Sequence, residues 1–279
     1  PAAVQTATAA AVAPSSLIPN KLATESTSPL VVMVDVTGSM GTWPSVIFGK
    51  LPYLDIEGKQ YLGADMEISF AANGDLSDKW PLQIQPFDSG LALKDRLAKL
   101  LIEGGGAGPE HGHEAYELGA LYYARNADMP NAVKPIFIFI ADEEPHRTIS
   151  KQIAARAKVD IASNMSVEEV FAELKRKYAV YLVHKSYSPT SRATWVRLLG
   201  EDNISDLQEP ERVVDVIFGI LARETGRVSY FRSELEGRQT PAQVATVYKA
   251  LQTIHHTPAA TGHSTMHKPS GGTPTKGLL

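Results

Sequence analysis

Pro135-Ile-Phe-Ile-Phe-Ile-Ala-Asp142 decides the fold class of this chain. This apolar run is too short for a buried helix and lacks the polar alternation of a half-exposed strand. It reads as a central strand of a parallel sheet, covered on both faces. Pro29-Leu-Val-Val-Met-Val34 upstream and Tyr178-Ala-Val-Tyr-Leu-Val183 downstream share that character. The intervening stretches are helical in period. A helix is expected from about Ser39, limited by Pro44 and Pro52, and another over Leu91–Ile102, stopped by Gly104-Gly105-Gly106. Pro109 is expected to open a helix through Ala124, and Ser166-Val-Glu-Glu169 forms a capping box for one through Arg176. Further helices are expected over Thr190–Leu199, Glu211–Arg223 and from Thr240-Pro241 to about Ile254. The last carries Val244, Val247, Tyr248 and Leu251 as a stripe that docks on its own domain. Met66–Phe70 and Leu82–Phe87 alternate apolar with polar residues around a turn-rich loop, which predicts a hairpin, and Ile204–Leu207 is a short edge strand. This order predicts an α/β three-layer sandwich with a mostly parallel, Rossmann-like central sheet and one antiparallel edge hairpin.

The composition agrees with a globular chain: of 279 residues, 43% are hydrophobic and 21% charged. There is no cysteine, which excludes disulfides, thiolate metal sites and cysteine nucleophiles. A net charge of −4 argues against a nucleic-acid or anionic-membrane partner. The run Ile136–Ala141 is too short to span a bilayer, and the first residues lack a basic region followed by an apolar stretch. A soluble, cytoplasmic protein is therefore expected. Residues 1–28 read as a flexible arm with a docking point near Leu17 and Ile18. Residues 29–257 read as the folded domain with a C-terminal helical extension, and 258–279 as a disordered tail.

In open α/β sheets, ligands gather outside the carboxyl ends of central strands. Two such ends carry carboxylates here: Asp35, in Asp35-Val-Thr37-Gly-Ser39-Met-Gly41, and Asp142. Asp35, Thr37 and Ser39 can turn toward one point where the chain reverses, and Asp142 arrives from a neighbouring strand. Oxygen-only donors of this kind suit a hard cation, Mg²⁺ or Mn²⁺, and not zinc. The same residues also make a good strand exit, with Ser39 capping a helix, and the two roles are compatible. Asp35→Ala is expected to remove binding with little effect on folding, because the residue lies at a loop edge.

At these residues the sequence resembles the von Willebrand factor A domains that carry a metal-ion-dependent adhesion site. Asp35-Val-Thr-Gly-Ser39 is similar to the family's Asp-x-Ser/Thr-x-Ser motif. Gly104-Gly-Gly-Ala-Gly-Pro-Glu110 is similar to the Gly-Gly-Gly-Asp-x-Pro-Glu loop of a subgroup that includes the A domains of some alpha-kinases. Ala141-Asp142-Glu-Glu-Pro-His146 is similar to that subgroup's Ala-Asp-Ala-Pro-x-His segment. The likeness runs over about residues 29–225, with the motifs in the family's order. It implies a divalent cation, Mg²⁺ or alternatively Mn²⁺ or Ca²⁺, at the top of the sheet, with one position left for an acidic group of a partner protein. Asp35, Thr37 and Ser39 are then the first ligand set, with Asp142 acting through water. Gly106 and Ala107 stand where the family offers Thr or Asp, and Glu110 is the carboxylate placed to compensate. The resemblance further implies a MoxR-type AAA+ ATPase or a larger assembly as partner.

Other constellations are weaker. Glu110-His111-Gly-His113-Glu114 places its histidines two apart, so on a helix they diverge. The glycines of 104–108 follow a helix and lack a Lys-Ser/Thr pair, which excludes a phosphate cradle. Thr37-Gly-Ser39-Met-Gly41 misses the first glycine of a nucleophile elbow, and Thr37 stands where a haloacid-dehalogenase-type phosphatase needs its second Asp. The expectation is a cation-dependent binding module and not an enzyme. The rival readings are an assembly component that uses the fold as a scaffold, with arm and tail on its neighbours, and a hydrolase using Ser39. Trp43, Trp80 and Trp195 read as core or rim packing, with Trp43 also placed to shape a contact surface. His255, His256, His263 and His267 read as a solvated tail.

Overall fold

Leu30–Asp35 forms β1, buried at every residue, and the sheet is built outward from it. The computed structural model describes residues 13–105, 112–186 and 188–254. The other strands of the main sheet are β2 (Ile68–Asn73), β3 (Leu82–Ile84), β4 (Ile136–Ala141), β5 (Ala179–Lys185) and β6 (Ile204–Leu207). Their spatial order is β6-β5-β4-β1-β2-β3. Every neighbouring pair is parallel except β2 and β3, the expected hairpin. The chain moves to one side of β1 with β2 and β3, then returns to the other side with β4. The switch point lies between β1 and β4, where the carboxyl ends of both strands open a crevice.

Side-chain alternation along the strands separates two apolar layers. Leu30, Val32 and Val34 of β1 join Ile136, Ile138 and Ile140 of β4 on one face. Val31 and Met33 join Phe137, Phe139 and Ala141 on the other. Helices α1 (Trp43–Lys50), α2 (Tyr53–Leu62), α3 (Ala92–Leu97), α8 (Val213–Glu224), α9 (Val228–Arg238) and α10 (Pro241–Ala250) send buried residues into the first layer. Helices α4 (Tyr116–Asn126), α5 (Lys151–Arg156), α6 (Val167–Lys177) and α7 (Pro189–Leu199) cover the second. The α/β three-layer sandwich is thus as expected. The capping box at Ser166 and Glu169 forms, as does a second at Thr240 and Gln243. Val247 and Leu251 of the last stripe are buried in their own domain, with Val244 and Tyr248 packed against the same layer.

Several local expectations are corrected. The helix anticipated from Ser39 divides into a 3₁₀ turn, Gly38–Met40, and α1 from Trp43. Gly41 at φ +59° breaks the path between them. Ser39, expected to cap a helix, lies inside the 3₁₀ turn, and the residues at the two N-caps, Thr37 and Thr42, make no side-chain cap, so capping is not what orients this loop. Helix α4 starts at Tyr116, not at Pro109: Gly112 takes φ +88°, and His113–Glu114 pairs in parallel with Glu144–Pro145. The arm is docked along much of its described length. Ile18 and Leu22 are buried, and Leu22–Ala23 pairs with Ala127–Asp128. Trp43, Trp80 and Trp195 are all buried, so Trp43 serves the core and not a contact surface. Gly106, Ala107, Glu110, His111 and the tail from residue 255 lie outside the described residues. Among the described residues, no helix is long and apolar enough to cross a membrane.

Candidate metal centre

The loop after β1 turns because Asp35 takes its own backbone in hand. Its Oδ1 accepts from the Thr37 N–H at 2.8 Å and from Thr37 Oγ1 at 2.6 Å. This two-residue turn is the local reason for the Asp-x-Thr spacing. Its Oδ2 accepts from the Tyr116 hydroxyl at the start of α4. Thr37 Oγ1 lies 3.1 Å from Ser39 Oγ, and Ser39 Oγ donates to Asp142 Oδ1 at 3.1 Å. The loop after β1 and the loop after β4 therefore meet through a line of oxygens: Asp35, Thr37, Ser39, Asp142. The four residues that the sequence singles out are brought together; Glu110 is outside the description.

The glycine loop closes against the same turn. Gly38 N–H donates to the Gly105 carbonyl at 2.7 Å, and Gly104 N–H to the Val36 carbonyl at 3.1 Å. A Cβ on Gly38 would sit 3.0 Å from the Gly104 carbonyl oxygen and 3.1 Å from that of Gly105, so it is at Gly38 that the close backbone approach favours glycine. Asp142 is held from behind by α7. Ser191 Oγ donates to its backbone carbonyl at 2.7 Å, and Trp195 Nε1 donates to the next carbonyl, Glu143, at 2.7 Å.

The electrostatics are those of carboxylates confined together. Asp35 and Asp142 are both fully buried. Burial first, then the charge of Asp142, pushes the Asp35 carboxyl up to about 7. Burial likewise raises Asp142, opposed mainly by Lys185. Glu114 is pushed up to about 10 by burial and then by the charges of Asp35, Glu143, Asp75 and Asp78. Tyr116 is raised as well, again by burial first and then by Asp35. Glu114 Oε2 and both amide atoms of Asn73, the β2 residue level with Asp35, are buried without a hydrogen-bond partner among the described residues. Carboxyls confined in this way are relieved either by taking up protons or by a cation.

The donor set is compatible in type with a hard divalent ion. Adjacent oxygens around octahedral Mg²⁺ are about 2.9 Å apart, since each lies about 2.0–2.1 Å from the metal. The Thr37–Ser39 and Ser39–Asp142 separations, both 3.1 Å, are near that edge, as they are near an ordinary O–H···O hydrogen bond. Among the described residues there is no group of three or more His, Asp or Glu able to hold a metal. The set here instead draws on two carboxylates and two hydroxyls, and contains no imidazole. The residues fit Mg²⁺, Mn²⁺ or Ca²⁺ far better than zinc.

Sequence reasoning missed Lys185, Tyr116 and Asn73, and weighed Glu114 only as part of the Glu110–Glu114 constellation. Lys185 Nζ lies 3.1 Å from Asp142 Oδ2 and donates to the Ser39 carbonyl. It ends β5, and the strand-end rule applied to β5 as it was to β1 and β4 would have found it. Asn73 follows from the same rule at β2. Tyr116 carries no comparable signal, and Glu114 none toward this site, because both reach it from the segment opening α4.

Ser39 Oγ is committed to Thr37 and Asp142. A Ser–His–Asp chain does exist, but it runs through Ser191, 3.4 Å from His184 Nε2, with His184 Nδ1 2.9 Å from Asp206. Ser191 and His184 are buried, and the Ser191 hydroxyl is given to the Asp142 carbonyl, so the chain braces the loop after β4.

No family model matches this chain, and no curated protein matches it. Among solved structures it is similar to the pilus adhesin SpaC from Lactobacillus rhamnosus GG in its open conformation. That match has a TM-score of 0.51 and 10% identity, over 75% of this chain and 31% of the adhesin. It is also similar to proximal thread matrix protein 1 from the mussel byssus, with a TM-score of 0.46 and 8% identity, over 71% of this chain and 48% of that one. The chain thus spans less than half the length of either neighbour. The adhesin match agrees with the three-layer α/β architecture.

Proposed function

We propose that this chain is a protein-binding module of the von Willebrand factor A type, in which Asp35, Thr37, Ser39 and Asp142 hold a divalent cation and a partner presents an acidic side chain to it. What carries the reading is the continuous line of oxygens from two loops, 2.6, 3.1 and 3.1 Å apart, at the switch point of the sheet. When bound, the ion supplies a positive charge with one coordination position for an outside carboxylate. Thr37 and Ser39 contribute lone pairs without adding charge, so the donor set brings no more than the two negative charges of Asp35 and Asp142 to a divalent ion. Tyr116 holds Asp35 by its second oxygen, and Ser191 and Trp195 hold the backbone of the loop after β4, which fixes the direction from which a partner is met. Mg²⁺ is the ion favoured by the oxygen spacing, with Mn²⁺ and Ca²⁺ as alternatives. The family resemblance suggests a MoxR-type AAA+ ATPase or a larger assembly as the source of the acidic residue.

The expectation that Asp35→Ala leaves folding intact needs correction, because Asp35 is wholly buried and accepts three hydrogen bonds. Asp35→Asn keeps an acceptor for Thr37 and removes the charge, so it is the better probe. The test is calorimetric titration of Mg²⁺ into the full chain and into Asp35→Asn, followed by partner capture in Mg²⁺ and in chelator. Binding of Mg²⁺ by the parent, its loss in the variant and capture only with the ion present are expected. Capture that is equal in chelator would remove the cation from the account.

A further inference from the structure

The cation-binding reading above leaves one charged group at the site without a role, and the following inference rests on that reading. Lys185 is the last residue of β5. Register pairs His184 with Ala141, so Lys185 and Asp142 are the next residues along the two adjacent strands. Its ammonium lies 3.1 Å from Asp142 Oδ2 and also donates to the Ser39 backbone carbonyl. One cation, already attached to the protein, thus ties the loop after β4 to the loop after β1. These are the same two loops that supply the divalent-ion donors.

The two positions are in electrostatic conflict. Asp142 is fully buried, and its neutralisation by Lys185 lowers the negative charge that an incoming ion would meet. The ammonium also repels any second cation placed among the Asp35, Thr37, Ser39 and Asp142 oxygens. Lys185 can yield, because its side chain is 20% exposed and rides on a flexible stem. Ser39 reports both states through different atoms: its carbonyl takes the ammonium, while its hydroxyl faces Asp142. Among the described residues, the other contact of the Asp142 carboxylate is the uncharged Ser39 hydroxyl.

We propose that Lys185 is a built-in competitor for the divalent cation: it holds the two loops together in the ion-free state, lowers the affinity of the site, and is displaced from Asp142 when the ion binds. A site regulated in this way stays assembled without metal and responds to the ion only at higher concentration than its bare oxygen set would require.

The test uses the full chain as parent, Lys185→Met, Lys185→Gln and Lys185→Arg, with Mg²⁺ alone as probe. Each is titrated by calorimetry and melted in chelator and in Mg²⁺. Lys185→Met is expected to bind Mg²⁺ about ten-fold more tightly or better, because a full charge has left the first contact of the ion. It is expected to melt lower than the parent in chelator, where Asp142 is left unneutralised, and to gain more from Mg²⁺. Lys185→Arg keeps the charge and stays near the parent affinity. If Lys185→Met folds only with Mg²⁺ present, that supports the proposal, and Lys185→Gln then supplies the affinity. Parent binding with an equal or weaker affinity in Lys185→Met and Lys185→Gln overturns the role of Lys185 and leaves the cation reading standing. No Mg²⁺ binding in parent or variants overturns both.

Discussion

Asp142 and Asp215 are two buried carboxylates, each beside a basic side chain, and they are partnered in opposite ways. Asp215 faces Arg212 Nη1 at 3.1 Å and Gln239 Nε2 at 3.2 Å, while the same Arg212 nitrogen donates to Gln239 Oε1 at 2.6 Å. This ring of fixed donors and acceptors closes on itself at the wall of a cavity of about 290 Å³ between α1, α2, α8 and α9. Asp142 faces a serine hydroxyl, which can donate or accept, and a lysine on a flexible stem. Burial raises both carboxyls. The difference teaches that burial of charge does not by itself mark a functional site. The guanidinium has no lone pair to offer an ion and the Gln239 amide oxygen is already taken by Arg212, whereas hydroxyls can turn their lone pairs toward one.

The comparison can be broken at either carboxylate. The largest effect on stability is expected at the closed ring. Arg212→Met leaves Asp215 buried without its cation, and chemical denaturation should show a loss of about 3–5 kcal/mol. A near-neutral result would show that the Asp215 ring is as adaptable as the Asp142 site. At the open site the large effect is on binding: Asp35→Asn should weaken Mg²⁺ affinity by about a hundred-fold, or about 2.7 kcal/mol, read by titration.

Two smaller effects calibrate these against ordinary local interactions far from the switch point. Ser166→Ala removes the hydroxyl that caps α6 at 3.3 Å and should cost about 1 kcal/mol with no change in Mg²⁺ affinity. The Arg125–Glu173 pair is half-exposed, and its hydrogen bonds hold the Glu173 carboxyl below its usual range. Its contribution is present above the unfolded carboxylate value of about 4.3 and is lost as pH falls through the lower folded value. Solvent screening keeps it under about 1 kcal/mol, so the difference in acid stability between parent and Glu173→Gln should be small and confined to that window.

The architecture was legible because β1, β4 and β5 are buried on both faces, and a strand in that position can hardly avoid a continuous apolar run. Helix α9 was not anticipated, since only Phe231 and Leu235 of it are buried and its sequence carries little period. The start of α4 was misread because proline is a good first-turn residue, and the parallel pairing of His113 with Glu144 depends on a distant loop. At the site, Asp35, Thr37 and Ser39 are local and were found from spacing, and Asp142 from its strand end. Lys185 was not, although it occupies an equivalent position. A lone lysine reads as a solvated charge until the register of β5 against β4 puts it beside Asp142.

The central claim is that oxygens of two loops surround one divalent ion. Anomalous diffraction from crystals of the full chain grown with Mn²⁺ tests it most directly. The account predicts a peak among Thr37 Oγ1, Ser39 Oγ and the carboxylates of Asp35 and Asp142, with the Lys185 ammonium moved off Asp142. A well-ordered site with Lys185 still seated on Asp142, and no peak between those oxygens at saturating Mn²⁺, would contradict it.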